Sequence, residues 1–131
     1  MKAFAASEWD RAGRTLRTAR QIVETDADSA ASWAYYAAFH AASAMFALRG
    51  QAFRKHPAIR AALHRDLVRP GLPATHAGED YDFLTALRHT GDDGGEQRVS
   101  PADAREAVEK AGAFISAVAA ACPELKAAGG G

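Results

Sequence analysis

The chain has 131 residues, enough for one domain with a real core and too few for two. Lys plus Arg equals Asp plus Glu at 16 each, so no overall charge draws it to nucleic acid or to a membrane surface. A single cysteine, Cys122, excludes an internal disulfide, and no secretory signal or membrane-length apolar run is seen, so a cytoplasmic protein is expected.

The neutral total hides two opposed segments. From Arg49 to Arg69, six basic side chains face Asp66 alone, a net of +5; from Glu79 to Glu96, six acids face Arg88 alone, a net of −5. Such segments are either solvated helix faces or surfaces that attract each other or a partner subunit.

The spacing predicts helices throughout. Ser7 to Asp10 has the spacing of a capping box, and Trp9, Ala12, Leu16, Ala19 and Val23 continue as one apolar stripe ending near Asp26. A second helix from about Ser29 to Leu48 is apolar on nearly every side: Trp33, Ala37, Ala41, Ala44 and Leu48 cover one face, Tyr35, Phe39, Ala42 and Phe46 another. It is therefore expected at the centre, shielded from solvent, with Gly50 as its stop. Its least apolar line is Ser32, Tyr36, His40 and Ser43.

Pro57 suits the first turn of a third helix with Ile59, Ala62, Leu63 and Leu67 facing inward, closed by Pro70-Gly71. A shorter fourth helix from about Gly78 to Arg88 carries Tyr81, Leu84 and Leu87, and the run TGDDGGEQ from Thr90 reads as a loop. Ser100, Pro101 and Asp103 combine an N-cap, a first-turn proline and an acid, so a fifth amphipathic helix runs from there to just before Pro123. Nothing alternates with period two. The expected fold class is all-α, an up-and-down bundle of four to five helices in one domain over residues 1–122, with 123–131 a disordered tail.

Several of these residues appear together in a known pattern. Tyr35-Tyr36-Ala37, Phe39-His40-Ala41-Ala42 and the run from Met45 to Gly50 resemble the second helix of the HEPN family of small helical domains. Lys55-His56, Leu67-Val68, Leu84 and Leu87-Arg88 followed by Asp92, and a last helix with Ala111 and Phe114 fall in the family's order, over about residues 5–120. The resemblance implies a bacterial or archaeal homodimer that handles RNA or nucleotides. Many such proteins are encoded beside a minimal nucleotidyltransferase partner in toxin–antitoxin or defence pairs.

Catalytic HEPN members are metal-independent RNases using an Arg followed four to six residues later by a His, brought together from two subunits. Attack by a ribose 2′-hydroxyl needs a base titrating near neutrality, and the crowded phosphate needs a fixed cation. Arg88 occupies the arginine position, yet no histidine follows His89. Adjacent helical residues point about 100° apart, so Arg88 and His89 are not expected to share one phosphate in the usual way.

A looser search, with six residues between Arg and His, finds Arg49 with His56 and Arg69 with His76. The catalytic candidates are thus Arg88, His89 and His56; the candidates for binding nucleotide or RNA are Arg49, Arg54, Lys55, His56, Arg60, Tyr36 and His40. Each has a plainer alternative: a solvated turn for Arg49 to His56, a bond within the bundle or dimer contact for Tyr36 and His40, and an i,i+4 salt bridge for Arg88 with Asp92.

Asp92-Asp93 lacks the further ligands a hard cation needs, and GDDGG precedes no lysine, so no metal or other cofactor is expected. Three readings remain: a module binding RNA, nucleotide or a nucleotidyltransferase; a metal-independent endoribonuclease toxin; and a structural dimerisation or antitoxin-like subunit.

Overall fold

The computed structural model describes residues 2–51, 56–65, 76–92 and 98–125. Five helices, α1 (Lys2–Ile22), α2 (Ala27–Leu48), α3 (His56–Leu63), α4 (Ala77–Asp92) and α5 (Pro101–Ala121), form an all-α bundle with no strand among the described residues. The expected fold class is the observed one.

Helix α2 is central because α1, α4 and α5 all pack on it. Its surface is mostly alanine: Ala34, Ala37, Ala38, Ala41, Ala42, Ala44 and Ala47 are essentially inaccessible to solvent. Helix α1, its most extensive neighbour, presents its own buried line of Ala5, Ala12 and Ala19 at seven-residue steps. Methyl groups leave the two backbones free to approach closely, so the bundle is tight where it is alanine-lined. Bulk enters elsewhere, through Tyr35, Met45 and Phe46 of α2, Tyr81 and Leu84 of α4, and Phe114 and Val118 of α5.

The ends of the helices follow local chemistry. Asp26 caps α2, its carboxylate accepting from the Ser29 amide at 3.1 Å and the Ser29 hydroxyl at 2.6 Å. Gly50 takes a left-handed φ of 76°, which lets the Gln51 amide turn back to the Phe46 carbonyl at 2.8 Å and closes α2. Ser100 caps α5 through the Asp103 amide at 3.0 Å. The segment before α5 is tied to α2 by Asp28, which accepts from the Val99 amide at 2.8 Å and from Arg98 at 3.2 Å.

Four expectations are corrected. Helix α1 begins at Lys2, so Ser7 is not a cap: the preceding Ala3, Phe4, Ala5 and Ala6 contain no helix breaker, and burying Ala5 against the core rewards the extra turn. Trp33 is 44% exposed, so α2 is not shielded on every side. Helix α4 runs through Thr90 and Gly91 to Asp92, held by α2: the Asp28 carbonyl lies 3.0 Å from where a Cβ on Gly91 would sit. Leu125 is fully buried, so the chain stays on the core past Pro123. Leu67 and Pro70-Gly71 lie outside the described residues.

Two stability measurements check this account. Phe114→Ala should lower the unfolding free energy by about 3–5 kcal/mol in urea titrations, through lost burial plus a cavity. Ala41→Leu should destabilise by roughly 1–3 kcal/mol, because no space exists beside the α2 backbone for the added carbons.

Candidate functional site

Between α2, α3 and α4 lies a cavity of about 490 Å³ lined by Tyr35 of α2, by Pro57, Arg60, Ala61 and His64 from α3 and its end, and by Tyr81, Thr85, Arg88 and His89 of α4. It forms because α3 is short and touches α2 and α4 only lightly, whereas α4 packs firmly on α2 and α5. Its apolar wall is made by Tyr35 and Tyr81. Both are buried, and the Tyr81 hydroxyl donates to the Tyr35 hydroxyl at 3.3 Å. Burial pushes both phenols up from their ordinary range, so they stay neutral.

Arg88 is the cation of the inner wall. Its Cζ lies 4.9 Å from the Tyr35 ring centre and 5.1 Å from that of Tyr36, and its Nε donates to Asp92 Oδ2 at 3.1 Å. The other Asp92 oxygen accepts from the Ser32 hydroxyl at 2.5 Å, which fixes the carboxylate to α2. Partial burial works against the charge, but the Asp92 hydrogen bond and the tyrosines outweigh it and hold Arg88 above its ordinary value. The i,i+4 pair expected from the sequence is therefore present, and it orients a cation stacked on two rings.

Beside the lining residues Arg60 and His64, Asp82 of α4 accepts from Arg60 Nε at 2.5 Å and from His64 Nε2 at 3.2 Å. Burial tends to raise the Asp82 carboxyl, but the hydrogen bonds from Arg60 and His64 prevail and keep it below the usual carboxylate value. An ionised carboxylate only accepts, so the proton of a neutral His64 sits on Nε2 and Nδ1 carries the lone pair.

The structure brings together Arg88, His89 and Arg60, and leaves other candidates elsewhere. Arg88 and His89 are neighbours on α4 yet border one cavity, because the space is wide enough to be lined by more than one edge of the helix. Tyr36 supports Arg88 from a second, smaller hollow of about 230 Å³ beside Trp33, Asp28 and Asp92.

His40 meets Glu8 of α1 at 2.6 Å and lines neither cavity, which is its plainer, structural alternative. Arg49 follows the end of α2, fourteen residues or about 21 Å of helix from Tyr35, and its charge acts on Cys122 and Glu124. Burial, aided by Glu124, pushes the Cys122 thiol up to about 11. Arg54, Lys55 and the His56 side chain lie outside the described residues. Among the described residues no cluster of His, Cys, Asp and Glu is arranged to hold a metal ion, and no helix is long and apolar enough to cross a membrane.

His64 was not among the sequence candidates. Its one available signal was the Arg60–His64 spacing of four, which places both on one face of α3.

The profile of the HEPN domain matches residues 6–121. The chain belongs to the HEPN family. A UPF0332 protein of Thermotoga maritima is 29% identical over 117 residues, covering 88% of this chain and 89% of that protein. In this HEPN domain Arg88 lies on a face of α4 that also carries Tyr81 and Thr85.

Asp82 gives a pH prediction. A carboxyl held below its unfolded value stabilises the fold above about pH 4, and that contribution fades as pH falls through the lower folded value. Asp82→Asn should therefore lower the urea midpoint at pH 7 and have a smaller effect at pH 3.

Proposed function

We propose that this HEPN domain binds a nucleotide, free or as the end of a single-stranded RNA, in the cleft between α2, α3 and α4. One observation carries the reading: Arg88 is stacked on Tyr35 and Tyr36 and borders a cavity that also holds Arg60, His64 and the Tyr81 ring. A guanidinium matches phosphate oxygens in a planar fork, and the Tyr35 and Tyr36 rings hold it in place at the cavity wall. The volume, about 490 Å³, lies within the usual range for small-ligand sites. The homodimer, a nucleotidyltransferase partner and a toxin–antitoxin setting are consistent with HEPN membership and belong to the same proposal.

Metal-independent cleavage of RNA is a second reading, favoured by a specific arrangement. The lone pair of His64 Nδ1 and the Arg88 guanidinium belong to the same cavity lining, as an acceptor for a 2′-hydroxyl proton and a cation for the phosphate. Incubation with single-stranded RNA at high protein concentration distinguishes the two: persistent intact RNA supports binding alone, and cleavage lost in Arg88→Ala supports the nuclease.

Titration with 5′-AMP and with a short oligoribonucleotide tests the main reading. Removing the cation in Arg88→Ala should weaken both by about tenfold or more, the loss of a charge-assisted hydrogen bond. Arg49→Ala should leave affinity within about twofold, since it sits at another end of the bundle. Equal affinity in wild type and Arg88→Ala would remove the proposal.

A further inference from the structure

Among the described residues, the arginines lining the cleft are already matched before any ligand enters. Arg88 is paired with Asp92, and Arg60 with Asp82, so the two arginines and two carboxylates sum to zero. Among the described residues, the remaining titratable groups facing His64 across the cavity are His89 and Tyr81 of α4 and Tyr35 of α2, and both tyrosines are held neutral by burial. A phosphomonoester brings nearly two negative charges above pH 7. It enters a cleft whose fixed cations are half spent on their carboxylates, in a partly enclosed space where uncompensated charge is costly.

The imidazole of His64 can supply what is missing. Asp82 holds Nε2 as the donor, which leaves Nδ1 as the atom for a cavity ligand. In the neutral ring Nδ1 is an acceptor and repels a phosphate oxygen; once protonated it donates, while Asp82 stabilises the imidazolium from the other side. His89 borders the same cavity but has no carboxylate within ion-pair distance among the described residues.

Resting on the nucleotide-binding reading, we propose that His64 is a phosphate ligand of this cleft and that a phosphomonoester binds together with one proton, taken up at Nδ1. Asp82 is a positioning residue for that imidazole. The cleft then favours a terminal phosphate, which carries the second charge, over the singly charged internal phosphodiester. Affinity falls as pH rises, because each bound ligand needs a proton that becomes scarcer, by about tenfold per pH unit at the limit.

Calorimetric titration of the full chain with 5′-AMP at pH 7.5, in two buffers of different ionisation enthalpy, reads the proton directly. The nucleotide phosphate is almost fully ionised there, so protons taken up go to the protein. The expected result is net uptake in wild type that disappears in His64→Asn, which cannot titrate. Binding of 5′-AMP should also weaken more steeply from pH 7.5 to 8.5 in wild type than in His64→Asn, and adenosine should bind much more weakly than 5′-AMP.

Binding without proton uptake, or uptake that survives in His64→Asn and is lost in His89→Asn, overturns the proposal while leaving nucleotide binding intact. No binding of 5′-AMP at any pH overturns both. A normal thermal unfolding curve for His64→Asn shows that a lost signal is not a lost fold.

Discussion

The close approach of helices to α2 is the constraint on which the remaining architecture depends. An apolar helix with alanine on most sides cannot fill space by itself, so its neighbours must come near enough to remove its backbone and methyl groups from water. Helices α1, α4 and α5 do so, and the large side chains are confined to the directions left over. A chain of rings, Tyr35 to Tyr81 at 5.7 Å and Tyr81 to Phe114 at 5.5 Å, then links α2, α4 and α5 across the core. The first two members of that chain are also the inner wall of the cleft, so the packing that stabilises the bundle fixes the surface available to a ligand.

Helical order was largely legible because it is written in local spacing. The period of the alanines, the glycine after Leu48 and the Ser100-Pro101 start each act within a turn or two of their own position. Errors arose where a distant contact decides the outcome. Ser7 has the local credentials of a cap, but Ala5 finds a buried site against the core and the helix begins earlier. Gly91 looks like a loop glycine and is instead where α4 comes up against the Asp28 carbonyl. Trp33 has the spacing of a core residue, but it borders a hollow shared with Asp28 and Asp92 and stays exposed.

The cleft was less legible for the same reason, compounded by the chemistry of charge. Arg88 could be singled out through a family resemblance, and its pairing with Asp92 through an i,i+4 spacing. Nothing local couples His64 to Asp82, eighteen residues away, or Arg88 to the ring of Tyr35 on another helix. The basic segment from Arg49 to Arg69 reads as one patch only along the chain. In space Arg49 acts on Cys122 and Glu124, whereas Arg60 faces Asp82, so a count of charges by segment merged sites that the bundle separates.

The opposed segments do meet, within one chain, at the Arg60–Asp82–His64 cluster. Exposed ion pairs contribute little to stability, roughly 0–1 kcal/mol, and all three side chains here are at least one-third accessible. Their arrangement is therefore a poor device for holding α3 in place, a task better assigned to the buried Ile59, Ala62 and Leu63. It is, however, well suited to exchange. Hydrogen bonds from ionised donors to a phosphate are stronger than an exposed pair, so a ligand can redirect Arg60 at small cost to the fold, while Asp82 still holds His64 through Nε2. The division of labour follows from burial: apolar contacts set where α3 sits, and weak, accessible charge pairs leave its polar side chains available to whatever enters the cleft.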